Sequence, residues 1–304
     1  MRPLAGGASS LTFSGSMAER RVVIKMAPPG ILPTLNRDVL RQSRIIRALS
    51  STSVPVPEVL WEDVGAPPDV PPLFVMSLVE GNSFEPLFDL GGDDAGGDVI
   101  AQRQLSAART LADLHRLNRG SLGLGDIPAA APQNEIDRWS HALQTVDPGL
   151  VDGWEEVREM LVASVPAPRP PSLVHGDFRL GNLLAVGARI TAVVDWEIWS
   201  VNDPRVDLGW FLLNGNPETY RRETRYAESM PSRSELVAAY GDSPGAQLVD
   251  LSWFEALAAF KSVATWSLIV KHNRRRRAPD PDIETLTPVL PRLLARAGTL
   301  LGQL

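Results

Sequence analysis

The sequence predicts an α+β protein in which a small β-rich part precedes a larger, mainly helical part. Short apolar and β-branched runs, interrupted by glycine and proline, fill residues 1–79. From Ile100 onward, apolar residues recur at the spacing of amphipathic and buried helices. A chain of 304 residues is long enough for two lobes with a sizeable core. We therefore expect two structural parts, residues 1–79 and residues 80–304.

The β-rich part is predicted to contain the order strand, strand, helix, strand, strand. Two apolar runs flank Ser14–Ser16, a segment with a central glycine that predicts a hairpin. A helix is predicted next because Gln42, Ile45, Ile46 and Leu49 would share one face. The predicted elements are strands at 11–13 and 21–25, a helix at 38–50, and strands near 59–60 and over 73–76.

The second part is predicted to be helical around one β-hairpin. Residues 91–98 are acidic and glycine-rich, which indicates a loop. His115 is expected to be a core histidine with hydrogen-bonded partners rather than a ligand. The apolar run Phe254–Val270 predicts a buried helix, and the basic run Lys271–Arg277 suits its solvated C-terminus. An anion-binding role for that run stays open. Further helices are predicted at 102–118, 139–141 and 154–165.

Composition excludes several classes of protein. The net charge of −6 and pI near 5.3 give no general attraction to nucleic acid or anionic membranes. The chain has no cysteine, which excludes disulfides, thiolate metal sites and cysteine nucleophiles and suits a reducing cytoplasm. The N-terminus lacks the apolar core of a signal peptide. No uninterrupted apolar run approaches the roughly 20 residues of a membrane span.

The segment from His175 to Glu197 carries the strongest chemical signal. Asp177 lies five residues before Asn182, and Asp195 closes an apolar strand. If a hairpin turns near residue 188, Asn182 and Asp195 face each other at its open end, where opposed Cβ atoms lie roughly 5 Å apart. Oxygen-bearing side chains in this arrangement suit a hard cation such as Mg²⁺. The structural alternative is that Asn182 caps a turn and Asp195 merely ends a strand.

Weaker signals lie at both sides of this segment. Glycines before Ser10 could let backbone N–H groups cradle a phosphate, although a plain turn explains them equally well. Lys25 ends an apolar strand, where a lysine is usually a surface residue, but a hairpin would hold it and those glycines over one site. Asp203, before a proline, is expected to initiate a turn, and Asp207 is expected to cap the following helix. His175 is expected to brace the loop through backbone contacts.

These residues together resemble a known family. The motifs HGDFRLGNLL, VVDWE and DPRVDLGW are similar to those of the aminoglycoside phosphotransferase/choline kinase family. The segments GGASSLTF, VVIKM, VPVPEVL, PLFVMSLVEG and LADLHRLN resemble its bacterial branch related to the kinase-like domain of acyl-CoA dehydrogenase 10/11 proteins. The resemblance covers about residues 4–215.

The resemblance implies a protein-kinase-like bilobal fold with an N-lobe at 1–79 and a C-lobe at 80–304. It implies ATP, or GTP, and Mg²⁺ as cofactors and a small-molecule hydroxyl as phosphate acceptor. Asp177 would be the catalytic carboxylate, and Asn182 and Asp195 would hold Mg²⁺. The residues implied to bind the nucleotide are Gly7, Ala8, Ser9 and Ser10 over the phosphates, Lys25 at the α/β-phosphates, Gln42 behind that lysine, and Ser77 and Val79 at the adenine.

Two departures from the family pattern stand out. Gln42 occupies the position of the usual glutamate that pairs with the lysine, and a Lys25–Gln42 hydrogen bond would hold the lysine less firmly than an ion pair. Asp38, one turn earlier, is a possible substitute. In addition, the chain begins almost at the glycine turn, where relatives commonly have more sequence, and Ser10 stands where asparagine is frequent.

The leading functional hypothesis is a cytoplasmic small-molecule kinase with no nucleic-acid or membrane partner. A catalytically impaired nucleotide-binding protein is the second hypothesis, and a metal-dependent hydrolase using His175, Asp177 and Asp195 is the third. The acceptor stays open among aminoglycosides, macrolides, choline-like alcohols and CoA-linked hydroxyacyl chains. The basic run at 271–277 favours an anionic group such as CoA.

Overall fold

A five-stranded antiparallel sheet forms the first part of the protein. The structure is a computed structural model that describes residues 1–4, 10–87, 95–220, 224–241 and 248–303. The strands lie in the order β1-β2-β3-β5-β4, with every neighbouring pair antiparallel. The strands are β1 (Arg2–Pro3), β2 (Leu11–Met17), β3 (Arg20–Met26), β4 (Val59–Asp63) and β5 (Leu73–Ser77).

The turn between β2 and β3 differs from the sequence prediction. Ser14–Ser16 continues β2 and pairs with β3, and the chain reverses at Ala18 and Glu19. Both turn residues adopt left-handed backbone, with φ of 46° and 66°. Such turns favour glycine or asparagine. Because neither residue occurs at positions 18 and 19, the sequence did not indicate a turn there, and Gly15 led to its prediction at 14–16 instead. Both strands are consequently longer than predicted.

One helix, α1 (Val39–Leu49), packs on this sheet and confirms the helix predicted at 38–50. The side chain of Asp38 accepts hydrogen bonds from the backbone N–H groups of Leu40 and Arg41, both at 3.1 Å, so it is the N-cap. The predicted face of four residues, from Gln42 to Leu49, is buried. Helix α1 therefore has a fixed start and a fixed orientation on the sheet.

The second part is mainly helical, as predicted, with four short strands among its described residues. Helix α2 begins at Gly97, five residues before the predicted start. The last two residues of the glycine-rich loop predicted at 91–98 are therefore helical, and residues 91–94 lie outside the described residues. The elements are α2 (Gly97–Arg116), α3 (Pro132–Leu143), α4 (Trp154–Ala163), β6 (Ser172–Val174), β7 (Leu183–Val186), β8 (Arg189–Val193), β9 (Ser200–Asn202), α5 (Arg205–Gly215), α6 (Arg233–Gly241), α7 (Leu251–Arg274), α8 (Pro281–Glu284) and α9 (Leu290–Leu301).

Two large hydrophobic clusters, beside a small third one around Phe84, hold these elements together in the described part of the chain. The first joins the sheet and α1 to α2, the β7–β8 hairpin and α5, with Phe74, Phe178 and Phe211 fully buried. The second lies among α3, α4, α5, α7 and α9. Helix α7 has the length and hydropathy of a membrane span, but 78% of that window is buried inside the protein, as in a core helix. Helix α5 contributes to both clusters and so connects them.

The β7–β8 hairpin is fastened to the segment that follows β5. Asn82 and Ala185 exchange two backbone hydrogen bonds of 3.1 Å. The Thr191 hydroxyl donates to the carbonyl of Glu80 at 2.7 Å. Gly81 lies between them at φ +132°, and a Cβ there would come within 2.9 Å of the Ala185 backbone. A glycine is therefore required where the chain passes from the sheet to the helical part.

Candidate active site

A cavity of about 390 Å³ lies between the five-stranded sheet and the β7–β8 hairpin. Its walls combine apolar side chains with a few polar groups, as in small-molecule sites. The polar wall includes residues from the first and the second part of the chain. The lining residues that the sequence singled out are Lys25, Gln42, Ser77, Val79, Asn182 and Asp195.

Lys25 extends from the sheet into this cavity. Its Nζ donates hydrogen bonds to Gln42 Oε1 at 3.0 Å and to Asp195 Oδ1 at 2.8 Å. The lysine side chain is 11% exposed, and that of Asp195 is 34% exposed. The predicted Lys25–Gln42 hydrogen bond is thus present, and the ionic partner of the lysine is Asp195. Asp38 is not the substitute partner, because its side chain caps α1.

The loop from His175 to Asn182 is held by hydrogen bonds of the buried His175 ring. His175 Nε2 lies 2.9 Å from the Val194 carbonyl, and the Asp177 N–H donates to His175 Nδ1 at 3.1 Å. Both ring nitrogens are therefore used by the neutral imidazole. Burial lowers the pKa of His175 against the opposing charges of Asp207 and Asp177. The bracing role predicted for His175 agrees with these contacts.

Asp207 is the main anchor of that loop, and the sequence prediction of a helix cap for it was wrong. Its carboxylate accepts the backbone N–H groups of His175 at 2.5 Å and Gly176 at 2.8 Å. Burial raises the pKa of Asp207, but its hydrogen bonds and the nearby imidazoles of His115 and His175 together outweigh burial and lower it overall. Gly176 has φ +86°, and a Cβ there would lie 2.6 Å from the Ile198 carbonyl oxygen. The loop thus needs this glycine.

The carboxylate of Asp177 is oriented from two sides. Its Oδ1 accepts a hydrogen bond from Trp210 Nε1, and its Oδ2 accepts one from Asn182 Nδ2, both at 2.8 Å. Burial raises the pKa of this carboxyl, but the charges of Arg179 and Lys261, together with His175 and the Asn182 hydrogen bond, outweigh burial and lower it overall. The ionised form, which accepts hydrogen bonds and protons, is consequently the one present at neutral pH.

Two contributors to this arrangement, Lys261 and Trp210, were missed from the sequence. Lys261, on α7, donates to the carbonyl of Gly176, and its Nζ lies 3.8 Å from the ring centroid of Trp210. Burial lowers the pKa of Lys261, while Asp177 opposes that shift. The available signal was a single lysine within the apolar run Phe254–Val270. Trp210 gave no signal, because a tryptophan in a buried helix usually belongs to the core.

Arg179 adds a second cation beside Asp177. Its Nε lies 3.4 Å from Asp177 Oδ1, and its Nη1 lies 3.3 Å from Glu85 Oε2. Glu85 also accepts the Gly181 N–H at 3.1 Å, and burial raises its pKa despite the Arg179 charge. The surroundings of Asp177 therefore contain two buried or half-buried cations.

The hairpin register differs by one residue from the prediction. Leu183 pairs with Val193, and the Val194 N–H donates to the Asn182 carbonyl at 3.0 Å. Val194, not Asp195, is therefore opposite Asn182. A bulge between Leu184 and Ala185 and a two-residue turn account for the shift, which sequence spacing does not reveal.

Asn182 and Asp195 nevertheless line the same cavity. Asp195 has φ +65°, a left-handed conformation uncommon outside glycine. The Asn182 Nδ2 group also donates to the Asp177 carbonyl at 2.8 Å, so the amide nitrogen is engaged and the side-chain oxygen is the group left to bind a cation. The described residues contain no cluster of three His, Asp or Glu side chains suited to a metal. Asn182 and Asp195 would supply two oxygen ligands, so Mg²⁺ fits here when phosphate oxygens complete its coordination.

The other residues predicted to contact the nucleotide differ in where they lie relative to the cavity. Gly7, Ala8 and Ser9 lie outside the described residues. Ser10 is buried just before β2 and is not among the described residues that line the cavity. The Ser77 N–H already donates to the Glu58 carbonyl at 2.8 Å. In a backbone hydrogen bond between Ser77 and an adenine, the Ser77 carbonyl oxygen would consequently be the acceptor.

The other residues singled out from the sequence make structural contacts. His115 is buried and contacts Tyr240 at 2.7 Å and Asp207 at 3.4 Å. Asp203 starts the turn into α5, accepting the Arg205 N–H at 3.0 Å and the Arg205 guanidinium at 2.8 Å. In the basic run, Arg274 pairs with Glu284 at 2.9 Å. That run lies about 20 Å along α7 from Lys261, well away from Asp177.

A model of the phosphotransferase enzyme family matches residues 1–249 of the chain. Human acyl-CoA dehydrogenase family member 11 is 29% identical over 267 residues, covering 84% of this chain and 34% of the relative. Mouse acyl-CoA dehydrogenase family member 10 is 28% identical over 218 residues, covering 68% of this chain and 20% of the relative. The chain thus spans about a third or less of the length of these relatives. The resemblance noted from the motifs is confirmed.

Solved structures show the same fold. A Ralstonia eutropha protein classed as an aminoglycoside phosphotransferase gives a TM-score of 0.79 at 20% identity, covering 99% of this chain and 92% of that one. The aminoglycoside phosphotransferase APH(4)-Ia, in a ternary complex with ADP and hygromycin B, gives 0.63 at 17% identity, with coverages of 99% and 92%. The predicted kinase-like α+β fold is therefore confirmed.

Proposed function

Because this chain belongs to the phosphotransferase enzyme family, we propose that it transfers the γ-phosphate of ATP or GTP to a hydroxyl group of a small molecule. The observation that carries the proposal is the position of Asp177. Its carboxylate is ionised and hydrogen-bonded to Asn182, which lines the cavity together with Lys25 and Asp195. The two parts divide at about residue 79 and enclose the nucleotide between them.

Each side chain has a defined task in this reaction. The oxygen of the acceptor hydroxyl forms a bond to the γ-phosphorus, and Asp177 accepts the proton of that hydroxyl. The bond between the γ-phosphorus and the oxygen that bridges it to the β-phosphate breaks. Lys25 contacts the α- and β-phosphates. When bound, Mg²⁺ neutralises charge on the phosphates, and Asn182 and Asp195 are the residues that would hold it. Positioning and charge neutralisation are the main demands of phosphoryl transfer.

ATP and GTP are both proposed as donors. Related folds have been solved with ADP and with AMP-PNP, and another with GDP and kanamycin. In this chain, Ser77 and Val79 line the cavity at the end of β5 and are proposed to meet the base. The glycine segment at 6–10 is proposed to cover the phosphates. A cytoplasmic location, where both nucleotides are abundant, is part of the proposal.

For the acceptor, we propose a neutral or anionic hydroxyl compound, with hydroxyacyl thioesters first. The relatives that match are named acyl-CoA dehydrogenases, and the chain matches a minor part of each. Two structural neighbours are complexes with kanamycin and with hygromycin B, so aminoglycosides are a second candidate class. Such polycations are disfavoured because Arg179 and Lys261 flank Asp177, and like charges repel.

The decisive experiment is an ADP-release assay with Mg·ATP or Mg·GTP against hydroxyl compounds of these classes. Asp177→Ala is expected to lower turnover roughly 10²–10⁴-fold, since a positioned proton acceptor typically contributes that much, while Mg·ADP binding is retained. Asp126→Ala, which removes a 72%-exposed carboxylate, is the control and should be fully active.

The same assay separates the competing hypotheses. Nucleotide binding without turnover of any acceptor would favour the impaired nucleotide-binding protein, for which Gln42 is the motivating residue. Metal-dependent ester cleavage without nucleotide would favour the hydrolase. Undiminished phosphorylation by Asp177→Ala would contradict the role assigned to that residue.

A further inference from the structure

Helix α1 is joined to the segment after Asp195 by a reciprocal contact between Arg41 and Trp199. The Arg41 guanidinium donates to the carbonyls of Glu197, at 3.3 Å, and of Trp199. The Trp199 indole N–H donates back to the Arg41 carbonyl at 3.0 Å. The guanidinium also lies 4.5 Å from the centroid of the Trp199 ring, within cation–π range. We call this set of contacts the Arg41–Trp199 clasp.

The clasp is built from groups with little freedom. Trp199 is 1% exposed, so its ring is fixed by its surroundings. Three of the four contacts involve a backbone carbonyl, whose position follows the chain itself. Burial lowers the pKa of Arg41, and Asp38 partly offsets that shift. A cation in the first turn of a helix also opposes the helix dipole. Arg41 is therefore held at some electrostatic cost.

Gln42, the next residue, explains why such a contact is needed. It is neutral, so the only bond between α1 and Lys25 among the described residues is the amide contact at 3.0 Å. The ion pair of Lys25 goes instead to Asp195. An amide bond restrains a helix less than a buried ion pair does. Apolar packing holds α1 on the sheet, so what remains to be explained is its attachment to the segment after Asp195, and the clasp lies one residue away.

Gln42 also has an unused donor. Its Nε2 is buried and makes no hydrogen bond within the described part of the chain, and the residue lines the cavity. A buried donor left unpaired costs about 1–3 kcal/mol. A glutamate at this position would have no N–H to offer. A phosphate oxygen in the cavity would be a suitable acceptor, provided that α1 keeps its position.

We propose that Arg41 is a positioning residue that fixes α1, and with it Gln42 and Lys25, against the segment carrying Asp195. The inference rests on the proposed nucleotide site for its functional consequence, but the clasp itself can be tested without nucleotide. Arg41 touches none of the proposed reactants and acts through the helix that carries Gln42.

The first test measures hydrogen exchange of α1 in the full-length protein without ligand. Arg41→Met is expected to accelerate exchange in residues 39–49 and to leave β2, β3 and α7 unchanged. Arg47→Met is the matched control, because it deletes a half-exposed guanidinium on the same helix that pairs with Glu62. Unchanged exchange in Arg41→Met would contradict the inference.

The second test measures affinity for Mg·AMP-PNP by titration calorimetry. Arg41→Met is expected to weaken binding by about 10-fold, since small displacements of positioning groups cost up to about 10²-fold; Arg47→Met should bind as wild type does. Affinity for Mg·AMP-PNP in Arg41→Met equal to that of Arg47→Met would overturn the positioning role.

Two outcomes are kept apart by this design. If the wild type does not bind Mg·AMP-PNP, the proposed function is wrong, and the exchange data still decide whether the clasp fixes α1. If Arg41→Met unfolds, exchange will rise throughout the chain. Trp199→Phe then replaces it, since it keeps a ring but deletes the indole bond to Arg41. It should accelerate exchange in α1 alone, and failure to do so contradicts the proposal.

Discussion

The carboxylate of Asp177 depends on side chains that are distant in sequence. Trp210 on α5 donates to one oxygen, Lys261 on α7 lies on the face of that tryptophan, and Asn182 donates to the other oxygen. Both helices lie behind the loop rather than in the cavity. Their effect is to fix the direction of the carboxylate and to keep it ionised. Side chains on α5 and α7, which are outside the lining of the described cavity, should therefore alter turnover.

Trp210→Phe tests this dependence. The change removes the indole donor but keeps an aromatic ring under Lys261, so we expect turnover to fall about 10-fold, as a misplaced group would cause, with nucleotide KM unchanged. Trp253→Phe is the matched control, because that indole donates at 3.2 Å to the Leu161 carbonyl, away from the site. Equal kcat losses in both variants would show a general packing effect and contradict the orienting role.

Asp207 is a second residue whose ionised form matters. It receives two backbone N–H groups of the 175–176 loop while fully buried. Burial raises its folded-state pKa, but the hydrogen bonds from His115 and from the His175 backbone, together with the nearby imidazoles, outweigh burial and place that pKa below the ordinary value. A carboxyl with a depressed pKa stabilises the fold above its unfolded pKa, near 3.9, and loses that contribution as pH falls through the folded value.

Asp207→Asn should therefore lower the free energy of unfolding by about 2 kcal/mol at neutral pH, the scale of a hydrogen bond to a charged group. The loss should stay constant between about pH 7 and pH 5 and shrink only below about pH 4. Urea unfolding across this range measures it, with the half-exposed Asp137→Asn as a control expected to change little. A loss independent of pH down to about pH 3 would contradict the ionic explanation.

At the scale of single elements, sequence predicted those with strong local signals. Helix α1 has both an Asp38 cap and an apolar face, and its bounds were predicted within one residue. The β2–β3 turn was misplaced because Ala18 and Glu19 adopt positive φ without being glycine or asparagine. The hairpin register was off by one because a bulge has no sequence signal. Tertiary packing decides such features, and spacing alone cannot.

Helices α5 and α7 approach closely at Gly209, and this contact sets the position of Trp210 relative to Lys261. A Cβ on Gly209 would lie 2.5 Å from the Phe254 carbonyl oxygen. This clash could be removed only by moving one of the two helices. The pair is also joined by the Arg205 guanidinium over the Phe254 ring at 4.4 Å. The distance between α5 and α7 therefore contributes to the geometry of the candidate site.

Gly209→Ala is expected to destabilise the protein by about 1–3 kcal/mol through overpacking and to reduce turnover as Trp210 shifts. Gly298→Ala is the matched control, since it is also a helical glycine but a Cβ there meets nothing within 4 Å. That control should be neutral or stabilising by up to about 1 kcal/mol. Chemical denaturation gives both values, and equal stability of the two variants would contradict the packing argument.

At the scale of the whole molecule, the cavity draws on both parts of the chain. Lys25 comes from the sheet and Asn182 and Asp195 from the hairpin region, so no short segment contains the site. The motif residues were predictable because their types and spacing are unusual. Lys261, Trp210 and Arg41 were not predictable, since their roles arise only when distant elements pack. Family resemblance supplied the expected roles, and the contacts supplied these supporting residues.

A ligand that bridges both parts should stabilise the entire protein. Mg·ADP at 100 times its dissociation constant is expected to add about 2.7 kcal/mol to the free energy of unfolding, seen as a higher melting temperature. EDTA should reduce the gain, because Asn182 and Asp195 would lose the bridging cation. Lys25→Met should also reduce it. Lys271→Met, which removes a bond to the Thr145 carbonyl at the far end of α7, should not.

No nucleotide-dependent shift in the wild type at saturating Mg·ADP and Mg·GDP would contradict the proposed site. A shift that survives both EDTA and Lys25→Met would indicate binding elsewhere on the protein.

The fastening of the β7–β8 hairpin determines which pieces of this protein could be exchanged with a relative. The hairpin is bonded to Asn82, to the Glu80 carbonyl and, through the Val193 N–H at 2.8 Å, to the Pro55 carbonyl. A chimaera spliced at residue 79 would set a foreign hairpin against Pro55. In recombination, the transferable block is therefore residues 1–82 together with residues 183–193, a unit that is contiguous in space but interrupted along the gene.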